Sequence, residues 1–213
     1  MAQSFTPNSG VMYGFQRLHA FLRTETGEVK KFVIEGRKGE GGTQEIKLTG
    51  LSKDPVRIPA SDIVYYQDAR GTGEVSAELS LLDVPMEVEA EWLGREITAD
   101  GNIIMGKDTK APQMAIVAES HIATGEPVYI ALLNGVMTRS EGFEAKTLDP
   151  GEDFKPEGAS YTFSAQNYVK SGSEFDGAVV VTRIGDGPGK DKLWEVLEGK
   201  IAEPEKVEVE TSK

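Results

Sequence analysis

The stretch that decides the fold is GEVSAELSLLD, residues 73–83. Every second residue from Val75 to Leu81 is apolar, and the residues between them are two serines and a glutamate. This period of two is typical of a β-strand with one dry face and one wet face. The stretch therefore predicts a half-buried strand at the surface of a β-rich domain.

Further short apolar runs indicate that strands dominate the chain. They lie at Phe32–Ile34 and Ile46–Leu48 and begin at Met114, Val128, Tyr161 and Ala178. Asp100-Gly101-Asn102 and Thr124-Gly125-Glu126 are typical hairpin turns, and Asn134-Gly135 is either a turn or a bulge inside a longer strand. This pattern predicts a mainly β fold, a sandwich or a barrel.

Two helices interrupt the strands. PMEVEAEWLG, residues 85–94, has proline in its first turn, Glu87 near its positive end and a terminating glycine. KDKLWEVLEGK, residues 190–200, places Leu193, Trp194 and Leu197 on a face that can dock on a sheet. We expect one short flanking helix and one C-terminal helix.

The domain organisation follows from two segments that a compact core does not accommodate. Residues 50–74 contain two prolines and several glycines around a short apolar piece, and a segment this long without firm periodicity is usually functional or mobile. Residues 200–213 are charged and contain a proline, so we expect a solvated tail. The sequence predicts one β domain over residues 1–199, with a long assembly loop at about 50–74.

Composition restricts the function. The net charge of −12 disfavours a surface that grips DNA. The absence of cysteine excludes disulfides and thiolate chemistry and fits a reducing cytoplasm. Residues 1–10 lack the pattern of a signal peptide, and no run is long enough to span a membrane.

Catalytic signatures are absent from the sequence. His19 and His121 are far apart and are poor material for a zinc site, so we expect them to be surface or strand residues. GDGPGKD, residues 185–191, is one residue too short for a P-loop and carries Asp191 where a hydroxyl is needed, which favours a turn leading into a helix. Loop carboxylates could in principle bind Ca²⁺, but without calcium-loop spacing they are better explained as solvated side chains; they are Asp68, Glu74, Asp149, Glu152 and Asp153. We predict no enzyme activity, no cofactor and no metal, although paired carboxylates of the glycosidase kind cannot be recognised from sequence.

A family resemblance covers roughly residues 40–185. Within residues 73–120, an alternating strand is followed by a short helix after the D-x-P of Asp83–Pro85, which ends in Leu-Gly. A hairpin with the D-G-N turn and an apolar strand introduced by Ala-Pro come next, and a strand with a Gly-Val step continues over residues 128–165. This order resembles the major tail protein family of phages with long, non-contractile tails.

The resemblance implies a β-sandwich with a flanking helix, stacked as six-membered rings into a tube through which DNA leaves the virion. It implies as partners further copies of the chain and the tape measure, terminator and tip proteins, without specific DNA binding and without a membrane. It also implies a location in the virion after synthesis in the bacterial cytoplasm. If each copy lends about four strands to a shared barrel, about 24 strands give a backbone diameter of about 50 Å, which is wide enough for duplex DNA.

Two sets of residues are the predicted assembly sites. Tyrosines and apolar residues in the polar 50–74 segment favour contacts between subunits or rings; the set comprises Asp54, Arg57, Ile63, Val64, Tyr65 and Tyr66. Polar residues on the wet faces of predicted strands are the candidates for the tube lumen, where acidic character would keep DNA from sticking; they are Glu45, Lys47, Ser76, Glu78 and Ser80.

Two other classes of protein remain open on the sequence. One is a tube protein of a type VI secretion system or a related injection machine, which shares the ring-forming barrel. The other is a β-sandwich carbohydrate-binding or adhesin module. The aromatic content of 8% and the alternating positions of the aromatic residues argue against the exposed platforms of such a module.

Overall fold

The computed structural model describes residues 10–24, 26–139, 141–142, 147, 151 and 156–199. The predicted tail at 200–213 lies outside the described residues, as do the carboxylates Asp149, Glu152 and Asp153. The elements, in chain order, are β1 Met12–Arg23, β2 Val29–Ile34, β3 Gly42–Thr49, β4 Val56–Ala60, β5 Ile63–Asp68, β6 Ser76–Leu82, α1 Met86–Trp92, β7 Glu96–Ile97, β8 Ile103–Ile104, β9 Met114–Ile122, β10 Pro127–Thr138, β11 Ala159–Ala165, β12 Val180–Ile184 and α2 Pro188–Leu197.

One antiparallel sheet forms the body of the protein, in the order β2-β1-β9-β10-β11-β6-β3, with β12 also paired to β10. The sheet folds back on itself, since the Thr43 hydroxyl of β3 donates a hydrogen bond to the Phe15 carbonyl of β1. The predicted β-sandwich or barrel with two helices is confirmed.

Strand β10 bends at a bulge and changes neighbours there. Its ladder with β9 shifts register between Leu132 and Gly135. The first half of β10 pairs with β12, and the second half pairs with β11. Of the two interpretations of Asn134-Gly135, the bulge is confirmed. A Cβ at Gly135 would lie 2.3 Å from the Ser164 carbonyl oxygen, so the close approach of β11 requires glycine here.

The main core lies inside the curved sheet and is closed by α1. The alternation predicted for β6 is confirmed, because Ala77, Leu79 and Leu81 are buried there. Trp92 of α1 is fully buried and meets the Tyr161 ring edge to face, with the ring centroids 6.3 Å apart. Core packing of this kind, rather than helix propensity, holds so short a helix in place.

A second core lies between α2 and the outer face of β1, β9 and β10. Strand β9 is therefore covered on both sides, which explains its unbroken apolar run from Met114 to Ala118. Trp194 of α2 packs edge to face on Tyr129, with the ring centroids 5.2 Å apart. The helix begins at Pro188, two residues before the predicted start, because the fixed φ of proline suits a first helical position.

The predicted turns and histidines lie where the sequence places them. Gly101 lies in the left-handed region in the β7–β8 turn, and the Ile122 amide bonds to the Glu126 carbonyl in the β9–β10 turn. His19 lies in β1 and His121 lies in β9. Within the described ranges, no helix is long and apolar enough to cross a bilayer.

In the turn at residues 185–191, Lys190 binds side chains of the protein itself. Lys190 Nζ lies 2.6 Å from Asp186 Oδ1 and 2.8 Å from the Tyr129 hydroxyl. Burial lowers the pKa of Lys190, but the hydrogen bonds to Asp186 and Tyr129 outweigh it and leave the pKa raised. The interpretation as a turn into a helix is confirmed.

Candidate assembly surfaces

A polar face covers the outer side of β3, β6, β11 and the end of β10. Its members are the side chains opposite the main core, and they lie in three rows across the strands. These rows are Glu45–Ser80–Ser160, Lys47–Glu78–Thr162–Thr138 and Thr49–Ser76–Ser164–Val136, in which Val136 is the one apolar member. All five residues predicted for the lumen lie on this polar face, and the sheet brings them together.

Hydroxyl groups and a few charges give the polar face its chemistry. Thr49 Oγ1 and Ser76 Oγ lie 2.9 Å apart, and Lys47 Nζ lies 3.3 Å from Glu78 Oε2. Both partners of this ion pair are more than half exposed, so the pair contributes little to stability. Glu45 adds a second carboxylate to rows that contain a single lysine. The polar face therefore carries a small net negative charge.

The sequence analysis missed half of the polar face. Thr49, Thr138, Ser160, Thr162 and Ser164 belong to it and were not among the candidates. The alternation of YTFSA, residues 161–165, carried the signal, since its polar residues occupy every second position.

A buried carboxylate supports the polar face from behind. Glu89 of α1 accepts a hydrogen bond from the Tyr161 hydroxyl at 2.7 Å. It also forms ion pairs of 2.7 Å with Arg95 and Arg139. Burial and the bond to Glu89 raise the pKa of Tyr161. The cluster ties α1 to the strands whose other side is the polar face.

The second surface is an arm formed by residues 50–74, between β3 and β6. The segment is not an irregular loop: β4 and β5 pair as an antiparallel hairpin inside it. Ser61 and Asp62 form the tip, with φ of 51° and 62°. At the base, the Gly73 amide bonds to the Gly50 carbonyl at 2.9 Å. The arm therefore extends the β3–β6 hairpin beyond the row of Thr49 and Ser76.

Apolar side chains are exposed on both faces of the arm. Cross-strand partners share a face, so Ile58 and Tyr66 lie on one side, and Pro59 and Val64 lie on the other. The large apolar residues of the two strands are between 46 and 77% exposed; they are Val56, Ile58, Ile63, Val64, Tyr65 and Tyr66. The other two predicted interface residues, Asp54 and Arg57, are exposed on the same arm. Val56 and Ile58 were not among the predicted residues.

In the part of the chain that the structure describes, no group of three or more His, Asp or Glu side chains could hold a metal ion. Asp68, one of the carboxylates considered for Ca²⁺, binds the Arg70 guanidinium at 2.9 Å instead.

Comparison with known families identifies one match. The family described as phage tail tube protein matches residues 22–147. This range is more than half of the 213 residues, and it includes both the arm and most of the polar face. No curated protein matches the chain.

Proposed function

The chain belongs to the phage tail tube protein family, and we propose that six copies close into a ring and that the rings stack into the tube of a long, non-contractile tail. DNA passes through this tube during ejection without being specifically bound. The protein acts as a structural component and catalyses no reaction. It is made in the host cytoplasm and becomes part of the virion.

The arm carries the proposal of self-assembly. A two-stranded hairpin with apolar groups on both faces is only marginally stable in water by itself. Exposed apolar clusters of this kind mark interaction sites, and tyrosine is enriched in the cores of such sites. We assign the arm to contacts between subunits and rings, with Tyr65 and Tyr66 as its anchors.

The polar face is assigned to the lumen. It spans four strands, the number per copy that gives a bore of about 50 Å across the backbone in a ring of six. Hydroxyl groups and a slight excess of carboxylates dominate the rows of this face, and their lysine, Lys47, is paired with Glu78, so phosphates find little cationic charge to bind and DNA slides past. The outer face of β1, β9 and β10 is unsuited to this role because α2 covers it.

The partners follow from the position of the subunit. Copies of the same chain fill the tube wall, while tape measure, terminator and tip proteins meet it inside and at its ends. Each of these contacts is a proposal that rests on family membership.

Electron microscopy of the concentrated protein tests the function. Wild-type protein is expected to form tubes or stacked rings, and a persistent monomer would overturn the proposal. Deleting residues 53–72 joins Ser52 to Gly73, two residues already near each other at the base of the arm. This variant should keep its thermal unfolding transition but form no tubes.

A second pair of variants tests whether assembly depends on the apolar side chains of the arm or on any exposed apolar side chain. Tyr65→Ser combined with Tyr66→Ser should abolish tubes at unchanged stability. Val169→Ser removes an even more exposed apolar side chain away from the arm and should leave assembly intact. Normal tubes from the tyrosine variant would remove the arm from the proposal.

A further inference from the structure

Strand β3 has an open outer edge. On its inner side β3 pairs with β6 from Gly42 to Thr49. On its outer side no strand of the described residues forms a hydrogen-bonded ladder with β3; β1 lies nearby, and the Thr43 hydroxyl at the start of β3 bonds to the Phe15 carbonyl. A strand edge of this length without a partner is a template for pairing with another chain.

The bonding pattern of the sheet shows which groups β3 offers at this edge. The Ala165 amide bonds to the Val75 carbonyl, so the odd-numbered residues of β6 face β11 and the even-numbered ones face β3. Across the ladder, Glu45 and Lys47 then bond inward. The main-chain groups of Ile46 and Leu48 therefore point outward, where a further strand would bind them.

The opposite edge of the sheet, on β2, is protected in a way that β3 is not. Lys30 of β2 forms a 2.6 Å ion pair with Glu91, and Lys31 lies 3.6 Å from Glu198. These lysines bind β2 to the ends of both helices, and lysine on an edge strand discourages pairing. The single lysine of β3, Lys47, lies on the polar face and pairs with Glu78 of the neighbouring strand.

The other border of the polar face is the end of β10. Beyond Gly135 this strand pairs with β11 alone in the described residues. The ladder with β9 ends at Gly135 opposite Met114, and Pro112, two positions further along, has no amide hydrogen to extend it. Thr138 is exposed at this border, whereas Met137 is buried in the main core.

The directions of the two border strands, β3 and β10, suit each other. Each strand in the series β3, β6, β11, β10 is antiparallel to the next, so β3 and β10 run in opposite directions. When copies are related by rotation about a ring axis, β3 of one copy is therefore antiparallel to β10 of the next. The side chains also agree, since Ile46, Leu48 and Met137 all lie on the core side of their strands.

We propose that β3 of one copy lies antiparallel beside the end of β10 of the next copy, so that the polar faces join into one continuous bore. This seam rests on the proposed ring assembly and specifies where its subunits meet. Two registers are possible. If Ile46 lies opposite Met137, Glu45 lies opposite Thr138 on the polar face. If Leu48 lies opposite Met137, Lys47 takes that position. Neither register sets like charges against each other.

Disulfide trapping tests the seam, because the chain contains no cysteine. Within one copy, positions 47 and 138 are three strand spacings apart, about 14 Å. A disulfide needs Cα atoms within about 7 Å, so Lys47→Cys with Thr138→Cys can cross-link only between copies. Glu45→Cys with Thr138→Cys tests the alternative register. Glu78→Cys with Thr138→Cys is the matched control, because Glu78 is equally exposed but lies on an interior strand.

Tubes are assembled under reducing conditions, imaged and then oxidised. One of the two border pairs is expected to give a ladder of covalent multimers that ends at the ring number, while the control stays monomeric. Intact tubes without multimers from either border pair would overturn the seam and leave the tube function standing. Multimers from the control at the same yield would also overturn the seam. Absence of tubes from wild-type protein would instead overturn the proposed function and the seam with it.

Discussion

The backbones of Gly50 and Glu74 cross so closely that a Cβ added at Gly50 would lie 1.9 Å from the Glu74 carbonyl oxygen. Gly50 also has a φ of 73°, a conformation that side chains disfavour. The crossing lies at the base of the arm, where the chain leaves β3 and returns to β6. Gly50 therefore fixes the direction in which the arm leaves the polar face.

Gly50→Ala is expected to destabilise the protein by about 2–4 kcal/mol and to reduce tube formation, because both the left-handed conformation and the backbone contact oppose a side chain. Gly71→Ala is the matched control, since Gly71 has a φ of 89° but open space around it. It should cost only about 1 kcal/mol. Chemical denaturation measures both, and equal effects would show that the crossing contributes nothing.

Glu89→Gln is expected to cost about 3 kcal/mol, because it leaves the guanidinium groups of Arg95 and Arg139 largely buried without their charge partner. Glu78→Gln breaks the exposed ion pair with Lys47 and should cost less than about 1 kcal/mol. Urea unfolding of the two variants measures the difference. Similar losses would contradict the assignment of Glu89 as the anchor behind the polar face.

His19 predicts a pH dependence of stability. Burial lowers the pKa of His19, against the raising effect of Glu119, and the positive charges of Lys31 and Arg17 lower it further. A histidine with a lowered folded pKa stabilises the protein fully above its unfolded value of about 6.5, and this contribution is lost as the pH falls through the folded pKa. We expect the Tm of wild-type protein to fall more between pH 7 and pH 5 than that of His19→Gln.

A packing control distinguishes this titration from a simple loss of contacts. Phe21→Leu removes part of another ring that meets Trp194 edge to face. It should lower Tm at every pH without changing the slope. Parallel curves for His19→Gln and wild-type protein would rule out the titration.

The charge of the polar face predicts how tubes treat DNA. Glu45→Lys combined with Ser80→Lys changes two neighbouring positions of one row to lysine. Such tubes should retain duplex DNA that nuclease cannot reach, and added salt should release it because counterions compete for the phosphates. Glu96→Lys with Asp100→Lys places the same residue type on the β7–β8 hairpin and should give no protection. Retention without nuclease protection would place the polar face outside the bore.

Local patterns were sufficient for much of the fold. The alternation from Val75 to Leu81 gave the correct strand and the correct wet face, because one side of β6 meets the core and the other side meets solvent. The apolar run that begins at Met114 predicted a strand, and the structure adds that this strand is buried on both sides. Both strands depend on neighbours in sequence, so periodicity alone reveals them.

Other features depended on contacts that periodicity does not encode. The hairpin inside residues 50–74 has no single dry face, so its strands lack the alternation that marks β6. The burial of Glu89 depends on Arg139 and Tyr161, which lie 50 and 72 residues away. A helical pattern could place Glu89 in α1 but could not identify these partners.

The two-faced arm has a consequence for the kinetics of growth. In the proposed assembly, in which the arm contacts neighbouring subunits and rings, a subunit that meets one neighbour covers one face of its arm and leaves the other in water, so an isolated pair gains only part of the burial. Full burial requires two receiving surfaces at once, and the end of an existing tube offers both. Polymerisation should therefore show a lag phase and a critical concentration, and short preformed tubes added as seeds should abolish the lag.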